Sequence, residues 1–126
     1  MPNVGDVLGI KTKNVIGKDS AFKWHFCICA RDRLYLFVCE KGYVGDFPIK
    51  RDPHCSGLEY EISHLSLSRY MHVPDAKMRG AKQACTVNDD YLREFLAHVT
   101  DLTSLSERDR TIILRGLERH FNSQTK

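Results

Sequence analysis

Two dense apolar runs, Trp24–Ala30 and Leu34–Cys39, stand on either side of the short polar break Arg31-Asp32-Arg33. Both runs are rich in β-branched, aromatic and cysteine residues, and a turn this short between them predicts a tight antiparallel hairpin. Alternation within the first run puts Trp24, Phe26 and Ile28 on one face. Lys23 and His25 then fall on the other, where the strand begins. The chain leaves the hairpin through Gly42, Gly45 and Asp46-Phe47-Pro48, which reads as a looped return rather than a helix.

The pattern on either side extends this picture. Val4–Ile10 reads as an opening strand and Asn14–Ser20 as a polar loop, while Lys50–Gly57 is rich in turn residues. Ser63–Val73 alternates, with Leu65, Leu67, Met71 and Val73 on one face and His64, Ser66, Ser68, Tyr70 and His72 on the other. Arg69 falls on the apolar face, which predicts an edge position, a bulge or an acidic partner. Lys77–Ala84 is a loop or a short helix.

The period then changes from two to helical. Asn88 is a suitable N-cap, with Asp89 and Asp90 in the first turn and Tyr91, Leu92, Phe95, Leu96 and Val99 as the apolar stripe. Ser106 with Asp109 starts a second helix, whose apolar face is Ile113, Leu114, Leu117 and Phe121. Strands followed by helices predict an α+β domain spanning residues 1–126. Residues 4–74 form a small, strongly bent antiparallel barrel, and residues 86–121 form two short C-terminal helices.

Composition adds a compartment and a charge bias. No apolar run is long enough to cross a bilayer, and MPNVGDVLGI lacks the basic and apolar regions of a signal peptide, so the expectation is a cytoplasmic protein with no membrane partner. The five cysteines form no CxxC pair, and Cys27, Cys29 and Cys39 lie in apolar strands, which predicts free thiols rather than a disulfide framework. Residues 1–50 carry eight Lys/Arg against five Asp/Glu, whereas residues 89–126 carry six against seven. The basic excess therefore belongs to the strands, where it favours nucleic acid or an acidic protein.

Two groupings can carry chemistry. A histidine that titrates near neutrality beside a lysine that stabilises a phosphorane is close to what metal-independent RNA cleavage requires, and Lys23 with His25 offers it. The row from His64 to His72 offers hydroxyls and imidazoles to phosphates if its face lines a groove, and otherwise forms a wet sheet face. No zinc-ligand spacing, GxSxG elbow, Walker loop or dinucleotide fingerprint occurs, so no metal and no cofactor is implied.

The order Val4-Gly5-Asp6-Val7, Lys23-Trp24-His25, Leu34–Cys39, Phe47-Pro48-Ile49 and Ser63–Val73 resembles the MazF/PemK-like toxins, SH3-like barrels that act as endoribonucleases in toxin–antitoxin pairs. The resemblance covers residues 4–74. Where that family has an arginine, often followed by proline, this chain has Lys23-Trp24-His25; where it has Thr or Ser, this chain has Cys39-Glu40-Lys41. The resemblance implies an RNA substrate, with Lys23 and His25 catalytic and His64, Ser66, Ser68, Tyr70, Lys18 and Arg31 in contact with the RNA. It also implies a homodimer and an antitoxin segment over the groove. The alternative is a barrel module that binds a protein or nucleic acid without cleaving it.

Overall fold

The computed structural model describes residues 2–13 and 20–124. The loop expected over Asn14–Ser20, with Lys18, falls almost wholly outside them. Six strands come first: β1 (Asp6–Lys13), β2 (Ser20–Cys29), β3 (Leu34–Cys39), β4 (Phe47–Lys50), β5 (Ile62–Leu65) and β6 (Met71–His72). A single-turn helix α1 (Asp75–Met78) and a strand β7 (Lys82–Thr86) follow, then helices α2 (Asp89–Asp101) and α3 (Glu107–Gln124). The strands form one antiparallel sheet in the order β4-β5-β3-β2-β1-β7, with β6 beside β3. The architecture is α+β, a curled antiparallel half-barrel followed by C-terminal helices.

The β2–β3 hairpin forms as its pattern dictates. Trp24 faces Val38, His25 faces Phe37 and Phe26 faces Leu36, and Arg33 closes the turn at a positive φ of 56°. Both sheet faces are covered. Phe26, Ile28, Leu36 and Leu65 pack beneath Leu92, Phe95, Val99, Ile113 and Leu117 of α2 and α3, making the inner face. On the outer face Leu8, Cys27 and Tyr35 are covered by Val73 and Met78. The hairpin strands are therefore buried on two sides rather than one.

The helix caps also hold. Asn88 Oδ1 accepts from the Tyr91 amide at 2.9 Å, and Ser106 Oγ accepts from the Asp109 amide at 3.1 Å. The second helix is longer than expected, running for 18 residues.

Three expectations are corrected. First, Lys77–Ala84 is neither a loop nor a helix throughout: its end belongs to β7, which pairs with β1 (Asp6 with Thr86, Leu8 with Gln83) and carries the sheet past residue 74. The buried Asp6 carboxylate fixes this pairing by accepting from Thr86 Oγ1 at 2.6 Å and Gln83 Nε2 at 3.2 Å. Second, Ser63–Val73 is not one alternating strand. β5 meets β3 at Val38–Leu65 and β6 meets it at Leu34–His72, so the chain between them slips and bulges. The slip sends Leu65 and Leu67 to the inner core but Met71 and Val73 to the outer cluster, and leaves Arg69 exposed in the bulge.

Third, the cysteines are not all free. Cys55 is bonded to Cys85 of β7, with their Cα atoms 5.3 Å apart. The bond pins the segment between β4 and β5 against β7. At that contact Gly57 leaves no room for a side chain: a Cβ there would stand 2.3 Å from the Ala84 carbonyl oxygen. Among the described residues no helix is long and apolar enough to cross a membrane.

Candidate nucleic-acid interface

The two residues expected to work together, Lys23 and His25, do share the outer face, but in different environments. Lys23 is exposed and holds its Nζ 5.5 Å from the centre of the Phe37 ring. His25 is only 2% exposed, between the rings of Tyr35 and Phe37 at 6.3 and 5.2 Å. Its Nδ1 stands 3.1 Å from the Lys23 carbonyl, which accepts from that nitrogen in the Nδ1–H tautomer. Burial holds its pKa below the ordinary imidazole value; backbone hydrogen bonds with Lys23 and Leu8 oppose that shift, and the Lys23 charge reinforces it. His25 is therefore a covered, neutral histidine rather than an open group at the rim.

The row from His64 to His72 is dispersed by the same slip that breaks its strand. His64 lies against Gly42 with Nδ1 buried and without a hydrogen-bond partner. Ser66 and Ser68 hydrogen-bond to each other at 3.0 Å, beside the bend held by Asp46. Tyr70 packs on the inner core, and His72 Nδ1 lies 3.0 Å from the Asp32 carbonyl at the far turn. No single groove collects them.

What the fold does assemble is a tract at the end of the half-barrel where β2 begins. A cleft of about 400 Å³ is lined there by Phe22, Trp24, Tyr60, Lys23, Glu40 and Ser63. Phe22 and Trp24 meet edge to face at 5.0 Å, over Gly9 of β1. A Cβ on Gly9 would stand 2.2 Å from the Phe22 ring, so the missing side chain is what seats both rings. Phe22 and Tyr60 remain 47% and 46% exposed, which leaves two aromatic faces open to a ligand.

A second, basic pocket of about 380 Å³ adjoins the cleft and shares Phe22 with it. Among the described residues it is lined by Lys11, Lys77, Arg79 and Lys82, and by no acidic residue. Met78 anchors this wall by burying in the outer cluster, which leaves Lys77 and Arg79 exposed on either side of it. Among the described residues none of the four cations lies within ion-pair distance of a carboxylate.

The opposite end of β2 makes the contrast. Arg31 lies in a larger cleft of about 550 Å³ with Arg119, His120 and Asp89. There Arg119 pairs with Asp32 at 3.1 Å and His120 with Asp89 at 3.1 Å. These pairs join α3 to the hairpin turn and to α2, so the cations serve the fold. Volume alone favours this cleft; uncompensated charge with open rings favours the rim.

Sequence reasoning located Lys23 but missed Phe22, Tyr60 and the basic wall. Lys77, Arg79 and Lys82 stand close together in the sequence, and that local run was the available signal. Among the described residues no group of His, Cys, Asp and Glu forms a metal-ligand set. No protein-family model, curated protein or solved structure matches this chain.

Proposed function

We propose that the chain binds single-stranded RNA along the rim tract and, as its resemblance to the MazF/PemK-like toxins implies, cleaves it without a metal ion. One observation carries this reading: the basic pocket and the aromatic cleft are contiguous through Phe22. Single strands are held by cations that follow the backbone and rings on which bases stack, and the tract supplies both. Lys77, Arg79, Lys82 and Lys11 take successive phosphates, and Phe22, Trp24 and Tyr60 take the bases. Lys23, which lines the aromatic cleft, would meet a phosphorane charge. The same resemblance supplies the partners, a second copy of the chain and an antitoxin segment lying over the tract, and the lack of a signal-peptide pattern in MPNVGDVLGI supports a cytoplasmic site of action.

A second reading, binding without cleavage, is favoured by the burial of His25. Cleavage by attack of the 2′-hydroxyl on phosphorus needs a base for that proton and an acid for the departing 5′-oxygen. A ring 2% exposed reaches neither in this conformation.

End-labelled RNA incubated with the full chain separates the readings. Fragments that disappear in His25→Gln support cleavage through His25; fragments that persist in a folded His25→Gln sink that role. Tight binding with no fragments establishes the second reading. Lys77→Ala/Arg79→Ala/Lys82→Ala should weaken binding by roughly 30-fold or more at low salt and flatten the log–log salt dependence by about two. Unchanged affinity in that variant would discard the tract.

A further inference from the structure

The rim cleft contains a feature that phosphate binding does not explain. Its wall carries Glu40 and Glu59, two exposed carboxylates in a site otherwise suited to a polyanion. An ionised carboxylate only accepts hydrogen bonds and repels phosphate. Its presence beside open aromatic faces fits a base whose edge offers donors. Glu40 follows the last residue of β3 and lines the same cleft as Phe22 and Trp24. Glu59 lies in the loop across the cleft, with its carbonyl held by Arg51 Nη1 at 3.1 Å.

The cleft also offers a donor. Ser63 is 4% exposed and lines the same cavity, and a serine hydroxyl can donate a hydrogen bond. The site thus presents a carboxylate acceptor pair and a hydroxyl donor around a stacking slot.

The four RNA bases answer this pattern differently. Guanine places two adjacent donors, N1–H and N2–H, on its Watson–Crick edge, which one carboxylate accepts in bidentate fashion, and its O6 accepts from a hydroxyl. Adenine and cytosine set a ring-nitrogen acceptor beside their amino group. Uracil sets two carbonyls around its one donor. Each of these three turns an acceptor toward the carboxylate, and an acceptor facing an acceptor forfeits the hydrogen bond and adds repulsion.

Resting on the RNA reading above, we infer that the rim cleft is a guanine-selective stacking site in which Glu40 reads N1–H and N2–H and Ser63 the O6. Glu40 is then a specificity residue of the substrate site. The cleft volume of about 400 Å³ lies in the range of small-ligand sites, and Trp24 and Tyr60 both line it.

The chain has one tryptophan, Trp24, so its fluorescence reports directly on a base entering the cleft. The probes are short 2′-O-methyl uridine oligomers carrying one central guanine, inosine, adenine, cytosine or uracil. They cannot be cleaved through a 2′-hydroxyl, so the titration reads binding alone. The guanine oligomer should quench Trp24 and bind about tenfold tighter than the adenine oligomer, with inosine, which lacks the 2-amino group, losing most of that advantage. Glu40→Gln, which replaces one acceptor with a donor, should abolish the preference, bringing the guanine and adenine oligomers to within about twofold of each other.

Equal quenching by all oligomers overturns the guanine assignment and leaves RNA binding standing. Guanine preference that survives Glu40→Gln overturns the role of Glu40. No quenching or binding by any oligomer overturns the RNA reading together with the inference.

Discussion

The two ends of β2 hold similar numbers of cations and put them to different uses. At the turn end Arg119 and His120 each meet a carboxylate at 3.1 Å, and the resulting pairs join α3 to the hairpin turn and α2. At the rim end Lys11, Lys77, Arg79 and Lys82 line one pocket with no ion-pair partner among the described residues. Gathering like charges raises the free energy of the fold unless an anion is bound, whereas the paired set is already compensated. The lesson is that a cation count does not locate a nucleic-acid surface; cations left without an ion-pair partner do.

The largest expected effect concerns what holds the rim together. The Cys55–Cys85 bond, between residues 30 apart, fixes the segment that leads to Leu58, Glu59 and Tyr60 of the cleft onto β7, which carries Lys82 of the basic pocket. Cys55→Ala/Cys85→Ala should lower the unfolding free energy in urea by about 3–4 kcal/mol on loop-closure grounds. It should also weaken RNA binding, because the Tyr60 wall is released, and dithiol reduction of the parent chain should do the same. A variant with unchanged affinity would show that the wall holds its place without the bond. Reducing compartments keep thiols reduced, so the comparison also measures how the tract works with the bond open.

The sequence made some of this visible and hid the rest for identifiable reasons. The hairpin and both helix caps were legible because each depends on residues a few positions apart: Trp24 to Val38 around a short turn, Asn88 to Tyr91, Ser106 to Asp109. β7 was not, because Lys82–Thr86 has a weak period and becomes a strand by pairing with β1, some 75 residues away. With β7 unseen, Cys85 had no place beside Cys55 and the disulfide was missed. The slip between β5 and β6 was equally hidden, since alternation does not register which residues a bulge absorbs. His25 was placed on the correct face, but that face proved to be covered by aromatic rings rather than open.

A smaller effect tests His25, which lies between the two ends. Its folded-state pKa lies below the ordinary value of 6.5, chiefly through burial. The unfolded chain therefore binds the proton more readily, and stability is full above the unfolded value and falls as pH drops through it, by at most about 1.4 kcal/mol per pH unit for one proton. His54 is shifted in the same direction, again mainly by burial, so the parent chain carries both contributions. Urea midpoints at about pH 7.5 and about pH 5.5 should converge in His25→Gln relative to the parent, leaving the His54 share. An unchanged pH dependence in that variant would mean that His25 is open enough to protonate in the folded chain, and would return it to contention as an acid–base group.

The smallest expected effect lies at the turn end and sharpens the contrast from the other side. Arg119 and Asp32 are each close to half exposed, so solvent screens their pair and Arg119→Ala should cost within about 1 kcal/mol of stability. Its effect on RNA affinity should be negligible, and the same holds for Arg31→Ala at the neighbouring position. The salt slope is the more telling readout, because a cation that contacts phosphate contributes to it even where its contact is weak. A slope that stays constant in Arg31→Ala/Arg119→Ala, set against the flattened slope of the rim variant, places the polyanion at one end of β2. A slope reduced equally by both sets would mean that the strand runs the length of the half-barrel, with the paired arginines exchanging Asp32 for phosphate.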